Sequence, residues 1–162
     1  MGDEQALREL YAATYPRLVG VVGAVCGSRQ DAEEAVQDAF VRLLDQWPKV
    51  STYDDPEAWV RKVALGFASN RRRKVLNGVR AVLRHGPPPE APSPTGDAVD
   101  LRRALASLPR AQREVVVLQG AGLGIAAIAQ QLDVPQGTVK SRLSRARAAL
   151  APMLREDVDD RV

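Results

Sequence analysis

Between residues 87 and 94 the chain carries five prolines, in the run PPPEAPSP. Proline lacks the backbone N–H and its ring clashes with the preceding turn, so neither a helix nor a sheet runs through such a stretch. Residues 86–96 therefore read as a flexible linker and a domain boundary, with whatever folds lying on either side. A chain of 162 residues then holds two small domains. Hydrophobic residues make up 45% of it and aromatic residues only 4%, so each core must be built from Leu, Val and Ala, as in helical proteins.

The apolar spacing on both sides of the linker is helical, and no segment reads as a strand. Residues 4–15 form a helix with Leu7, Leu10 and Tyr11 inward, and Pro16 opens the next helix, 16–26. Gly27-Ser28 is a break, and Ser28 or Asp31 caps the helix after it. QDAEEAVQDAFVRLLDQW, residues 30–47, is the strongest helical signal. It buries Val36, Phe40, Leu43, Leu44 and Trp47, turns Asp31, Glu34, Gln37, Asp38 and Asp45 outward, and stops at Pro48. A helix over 56–74 places Trp59, Val63 and Phe67 inward and Arg61, Lys62, Arg71, Arg72, Arg73 and Lys74 outward. VRAVLR beyond it reads as a ragged extension. After the linker come helices at 98–107, 109–120, 124–132 and 135–150, then an acidic tail, EDVDDRV, expected to fray.

The last two helices form a pattern of their own. Ile125, Ile128 and Leu132 mark one short apolar stripe; Val139, Leu143, Ala146 and Leu150 mark a second. Asp133 supplies the turn between them and Pro135 suits a first helical position. The second helix carries Lys140, Ser141, Arg142, Ser144, Arg145 and Arg147 around its stripe, with no acid before Glu156. Two short helices, a tight turn and a basic, hydroxyl-rich outer face are the pattern of a DNA-binding helix-turn-helix. Arg and Lys pair with guanine edges, and Ser and Thr reach bases or phosphates.

Charge is distributed unevenly behind a net value of only +3. Residues 1–60 hold eleven acids against five bases, residues 61–86 hold eight bases and no acid, and residues 101–155 hold nine bases against Glu114 and Asp133. Two basic surfaces thus flank the linker and an acidic block precedes both. This suits a chain that meets nucleic acid twice and a different partner once. Other chemistries are disfavoured. Cys26 is the sole cysteine and His85 the sole histidine, which leaves no disulfide, no Cys/His metal set and no hydrolytic triad. Cys26 reads as a small buried residue. GAGLG at 120–124 follows a helix rather than a strand, so it makes a corner and not a phosphate loop. Glu33-Glu34 and Asp54-Asp55 read as surface rather than as metal ligands. No apolar run reaches membrane-spanning length and the acidic start is unlike a signal peptide, so a cytoplasmic setting with no membrane insertion is expected.

LPRAQREVVVLQGAGLGIAAIAQQLDVPQGTVKSRLSRARAAL resembles region 4 of the bacterial sigma-70 family. The likeness lies in Leu108-Pro109, Arg113, Ile128-Ala129, the block GTVKSR at 137–142 and RAR at 145–147. DAEEAVQDAFVRL at 31–43 resembles region 2.2, and PEAWVRKVALGFASNRRRKV at 56–75 resembles regions 2.3 and 2.4. Two small helical domains with a short linker resemble the extracytoplasmic-function (ECF) group. The resemblance implies an all-α, non-catalytic initiation factor without cofactor or metal. Its domains would be region 2 over 1–76, a linker over 77–99, region 4 over 100–155 and a tail over 156–162. Its partners would be core RNA polymerase, promoter DNA and, as in many family members, an anti-sigma factor.

The same resemblance assigns roles. Asp31, Glu34, Gln37, Asp38 and Arg42 would dock on the clamp helices of the polymerase. Trp59, Arg61, Lys62, Asn70, Arg71, Arg72 and Arg73 would hold the −10 strand, Trp59 having core spacing as well. Arg113, Gln136, Thr138, Lys140, Ser141, Arg142, Ser144, Arg145 and Arg147 would read the −35 duplex, with Arg113, Gln136 and Thr138 on phosphates. The family pattern has Asn and then Asp where Gly66 and Asn70 stand, Glu where Ala127 stands, and Gly where Asp133 stands. Two other readings stay open: a stand-alone helix-turn-helix regulator using region 4 alone, with the acidic 31–47 helix as dimer interface or surface, and an interaction adaptor that has lost promoter melting, for which Gly66 and Asn70 are the only support.

Overall fold

In the computed structural model, residues 2–82 and 97–159 are described; the proline run and His85 lie outside them. The chain divides into two compact units, Met1–Ala91 and Pro92–Val162. Every regular element among the described residues is an α-helix.

The first unit holds α1 (Gly2–Cys26), α2 (Arg29–Val50) and α3 (Pro56–Val82), each packed on the other two. The break between α1 and α2 is made by Gly27, whose φ of +79° is open to glycine at little cost. Ser28 then caps α2, its hydroxyl accepting from the Asp31 N–H at 3.2 Å. The half-buried Cys26 thiol donates to the Ser28 carbonyl across the same corner. The core is one narrow stripe per helix: Leu18, Val22 and Val25 of α1, Ala32, Ala35, Val36, Ala39 and Leu43 of α2, and Val60, Ala64 and Ala68 of α3. Alanine supplies five of these buried positions.

Four expectations change here. Pro16 does not open a second helix; it lies inside a continuous α1. Pro16 and Ala12 are both exposed, so the carbonyl that loses its donor faces water. Pro48 lies inside the last turn of α2, which ends at Val50 rather than at the proline. Leu44 is 59% exposed rather than buried, because the α2 stripe through Val36, Ala39 and Leu43 is too narrow to include it. At its far end α3 continues through VRAV to Val82, so helix replaces the first residues assigned to the linker.

The second unit holds α4 (Asp97–Ser107), α5 (Arg110–Gly120), α6 (Ile125–Leu132) and α7 (Gln136–Asp159). Leu105, Leu108, Val115, Leu118, Ile128, Val139, Leu143 and Ala146 form its core. GAGLG is the corner between α5 and α6. Gly122 takes a φ of +96°, and the Leu123 N–H donates to the Leu118 carbonyl at 3.1 Å, closing the helix end. Asp133 caps α6 in the left-handed conformation, φ 54° and ψ 50°, and the Val134 N–H donates to the Ala129 carbonyl at 3.0 Å. Glycine fits that conformation best, and Asp is among the few other residues that tolerate it. Pro135 stands one residue ahead of α7, where its carbonyl accepts from the Thr138 and Val139 N–H groups. α7 itself runs into the acidic tail as far as Asp159 instead of fraying at 156.

Gly66 is exposed in the interior of α3, and nothing lies within 4 Å of where a Cβ would stand. Gly66→Ala should therefore stabilise the first unit by about 1 kcal/mol. Slower amide exchange throughout the α1–α3 core would register the gain.

Candidate nucleic-acid interface

α7 is held by Val139, Leu143 and Ala146, each no more than 3% exposed, against α5 and α6. The opposite surface carries Gln136, Lys140, Ser141, Ser144, Arg145 and Arg147 exposed, with Thr138 and Arg142 half-buried beside them. The Ser141 hydroxyl donates to the Thr138 carbonyl at 3.1 Å, which leaves its oxygen free to accept. Arg147 donates to the Gln119 side chain of α5 at 2.9 Å, so the last cation of the row is already tied to its own unit. The helix start adds backbone amides with no partner inside the helix, in a positive dipole end suited to phosphate. No acid lies on α7 until Glu156. Ala127 is exposed on α6 and contributes no polar group there.

Arg113 differs from expectation. It is 6% exposed, and its guanidinium donates to the carbonyls of Leu105 at 2.8 Å, Leu108 at 2.9 Å and Ala106 at 3.4 Å. These carbonyls lie in and just after the last turn of α4, where the Leu105 carbonyl also accepts from the Leu108 N–H at 3.1 Å. Arg113 thus ties α5 to α4 in place of touching phosphate.

The basic face of α3 is more divided than its sequence. Lys62, Asn70, Arg72 and Arg73 are exposed, and Trp59 is half-buried. Arg61 is not outward: it is 7% exposed, lies in the same stripe as Leu65, and approaches Glu57 at 3.7 Å. Glu57 also receives a two-pronged contact from Arg17 of α1, at 2.9 and 2.6 Å. That hydrogen bond to Glu57 raises the Arg17 pKa above its ordinary value. Arg71 is turned back onto α2, where one nitrogen donates to Glu34 and another to Asp38. The hydrogen bond to Asp38 raises the Arg71 pKa, with burial acting in the opposite direction.

On α2 itself, Gln37, Asp38 and Arg42 are exposed and Asp31 and Glu34 half-buried. Gln37 donates to the Tyr15 hydroxyl at 3.3 Å. Beside it opens an apolar groove of about 430 Å³ lined by Leu7, Tyr11, Phe40, Val41 and Leu44 together with Arg8 and Gln37. Tyr11 stands edge-on to Phe40 with centroids 4.9 Å apart. Phe40 is buried as its spacing implies, Leu7 is half-buried, and Tyr11 and Leu44, which have core spacing, are exposed. VQDAFVRLL holds more large apolar residues than one helix face can bury. Among the described residues there is no cluster of metal-ligating side chains, and no helix is long and apolar enough to cross a membrane.

The family description Sigma-70 region 2 matches residues 10–76, and Sigma-70 region 4 matches residues 98–150. The ECF RNA polymerase sigma factor SigM of Mycobacterium tuberculosis is 31% identical over 156 residues, spanning 94% of this chain and 79% of that protein. SigF of Caulobacter vibrioides is 33% identical over 162 residues, spanning 95% and 88%. The chain belongs to the ECF RNA polymerase sigma factors of the sigma-70 family. The fold of this sigma factor is shared with RpoE of Bartonella quintana, crystallised with the anti-sigma factor NepR. The TM-score is 0.81 at 24% identity, over 93% of this chain and 98% of the other. Within the sigma factor, the region 2 match covers most of α1–α3, and the region 4 match covers α6 and the first part of α7. The stand-alone regulator loses its ground, since it leaves the whole first unit without a role.

The surroundings of Arg113 make a test that separates structure from DNA contact. Arg113→Ala removes the charged donor shared by the Leu105 and Leu108 carbonyls and should cost the second unit about 2–3 kcal/mol. A urea titration would read this loss; a residue serving only a phosphate would leave stability unchanged.

Proposed function

We propose that this sigma factor binds core RNA polymerase through the exposed face of α2 and carries the enzyme to promoters that it reads with α3 and α7. It works as an initiation factor with no catalytic group of its own, acting where the polymerase acts, in the cytoplasm. Gln37, Asp38 and Arg42 are the docking residues on the open surface of α2, with Asp31 and Glu34 at its edge. Lys62, Asn70, Arg72 and Arg73 on α3 supply the cationic and polar surface for the −10 strand, with Trp59 partly available for stacking. The −35 duplex is met by Gln136, Thr138, Lys140, Ser141, Arg142, Ser144 and Arg145 of α7. An anti-sigma partner belongs to this reading as well, supported by the Bartonella quintana relative having been crystallised with one.

The observation that carries the proposal is the order of the two matches, region 2 then region 4, with a basic helix face in the second seated by its own apolar stripe. The helix carries no acid before Glu156, so the charge of its first turns is left for phosphates and base edges.

The α7 assignment predicts an order of effects on −35 duplex binding. Arg145→Ala should cost about 1–3 kcal/mol, and Arg147→Ala less, because Arg147 is committed to Gln119. A lost base contact changes preference at one position; a lost phosphate contact weakens every sequence and lowers the salt slope by about 0.9. Competition titrations against single-base operator variants distinguish the two, and equal losses for both arginines would count against the assignment. The α2 assignment is read by size-exclusion co-elution with core polymerase. Gln37→Ala together with Arg42→Ala should reduce co-elution while leaving helix content and −35 binding intact; unchanged co-elution would move the docking surface elsewhere.

A further inference from the structure

Glu34 and Asp38 belong by position to the polymerase-docking face, and Arg71 to the promoter face, yet the three side chains are bonded to each other. Arg71 sits 37 residues from Glu34 and 33 from Asp38, and its guanidinium fork spans two carboxylates one helical turn apart on α2. The contact is not sealed. The Arg71, Glu34 and Asp38 side chains are 32%, 45% and 50% exposed, so water and a partner reach all three. One cation shared between two carboxylates also leaves a negative charge over, and this favours an incoming basic group. Exposed ion pairs are weak enough to exchange on that scale. The α2–α3 packing does not depend on the cluster, because Val36, Ala39, Val60, Ala64 and Ala68 are buried beneath the two helices.

We propose that Arg71 is a latch between the two binding faces: Glu34 and Asp38 hold it in the free factor, and polymerase docking on those carboxylates releases it to the promoter strand. This rests on the docking and promoter faces proposed above. Its consequence is an ordering of events. The free chain withholds one of its strand-binding cations, and core polymerase binding adds that cation to the α3 surface beside Asn70 and Arg72. Arg71 is a positioning residue while latched and a phosphate-binding residue when released.

The test uses the full chain without polymerase and a fluorescently labelled single-stranded oligonucleotide, followed by anisotropy. Glu34→Gln with Asp38→Asn should open the latch and tighten strand binding roughly two- to fivefold, the scale of one exposed ion pair. The salt slope should steepen by about 0.7, one further single-strand phosphate contact. Adding Arg71→Ala should abolish both changes. Asp3→Asn with Asp45→Asn removes the same charge at two carboxylates outside the ion pairs described and should give neither. Circular dichroism establishes that each variant is folded. If the control pair tightens binding equally, or if the gain survives Arg71→Ala, the latch is wrong and general charge is the cause. Co-elution of the unmodified chain with core polymerase is measured separately. A missing latch with intact co-elution overturns only this inference; absent co-elution overturns the functional reading together with it.

Discussion

Burial of one apolar stripe per helix sets the rest of this structure. Each helix turns a narrow row of alanine and aliphatic side chains inward, and everything charged is left on the remaining circumference. The row is narrow because alanine supplies much of it in the first unit, where Ala32, Ala35, Ala39, Ala64 and Ala68 lie at or near zero exposure. Small core residues bring the helices close and leave large residues such as Tyr11, Val41 and Leu44 on the outside. The same constraint in α7, through Val139, Leu143 and Ala146, presents a continuous basic face. Core and recognition surface are thus two sides of one periodicity.

Electrostatics then divides the charge into committed and available groups. Arg113 and Arg61 are buried and structural, Arg17 and Arg71 bridge helices, and Arg147 leans on Gln119. Lys62, Arg72, Arg73, Lys140 and Arg145 remain exposed. A charge count along the sequence treats all of these alike. The fold distinguishes them, and α3 and α7, the two helices assigned to DNA, each keep exposed cations.

Much of this organisation was legible in the chain itself. The all-helical class, the corner at 120–124, the turn at Asp133 and the start of α6 and α7 follow from spacing, glycine and proline, because those are local effects. The illegible part is long-range or graded. Pro16 reads as a boundary, but proline on the water side of a helix removes one hydrogen bond without ending it. Leu44 reads as core, but the period does not say how wide the buried row is. Arg113 reads as a phosphate ligand from its place in a motif, while the carbonyls of Leu105 and Leu108 that receive it belong to another helix and its end. The Arg71 contacts join residues more than thirty positions apart, and no local pattern specifies them. For the candidate site, residue types and helix faces were readable, whereas the partners each side chain already has were not.

The central claim is that a basic helix-turn-helix and an acidic-faced three-helix unit act together to direct a polymerase. Run-off transcription from genomic fragments, with core RNA polymerase in the presence and absence of the chain, addresses it most directly. The account predicts discrete transcripts that depend on the chain and disappear when either unit is removed. Transcripts that are the same with and without the chain, under conditions where it binds duplex DNA, would contradict it.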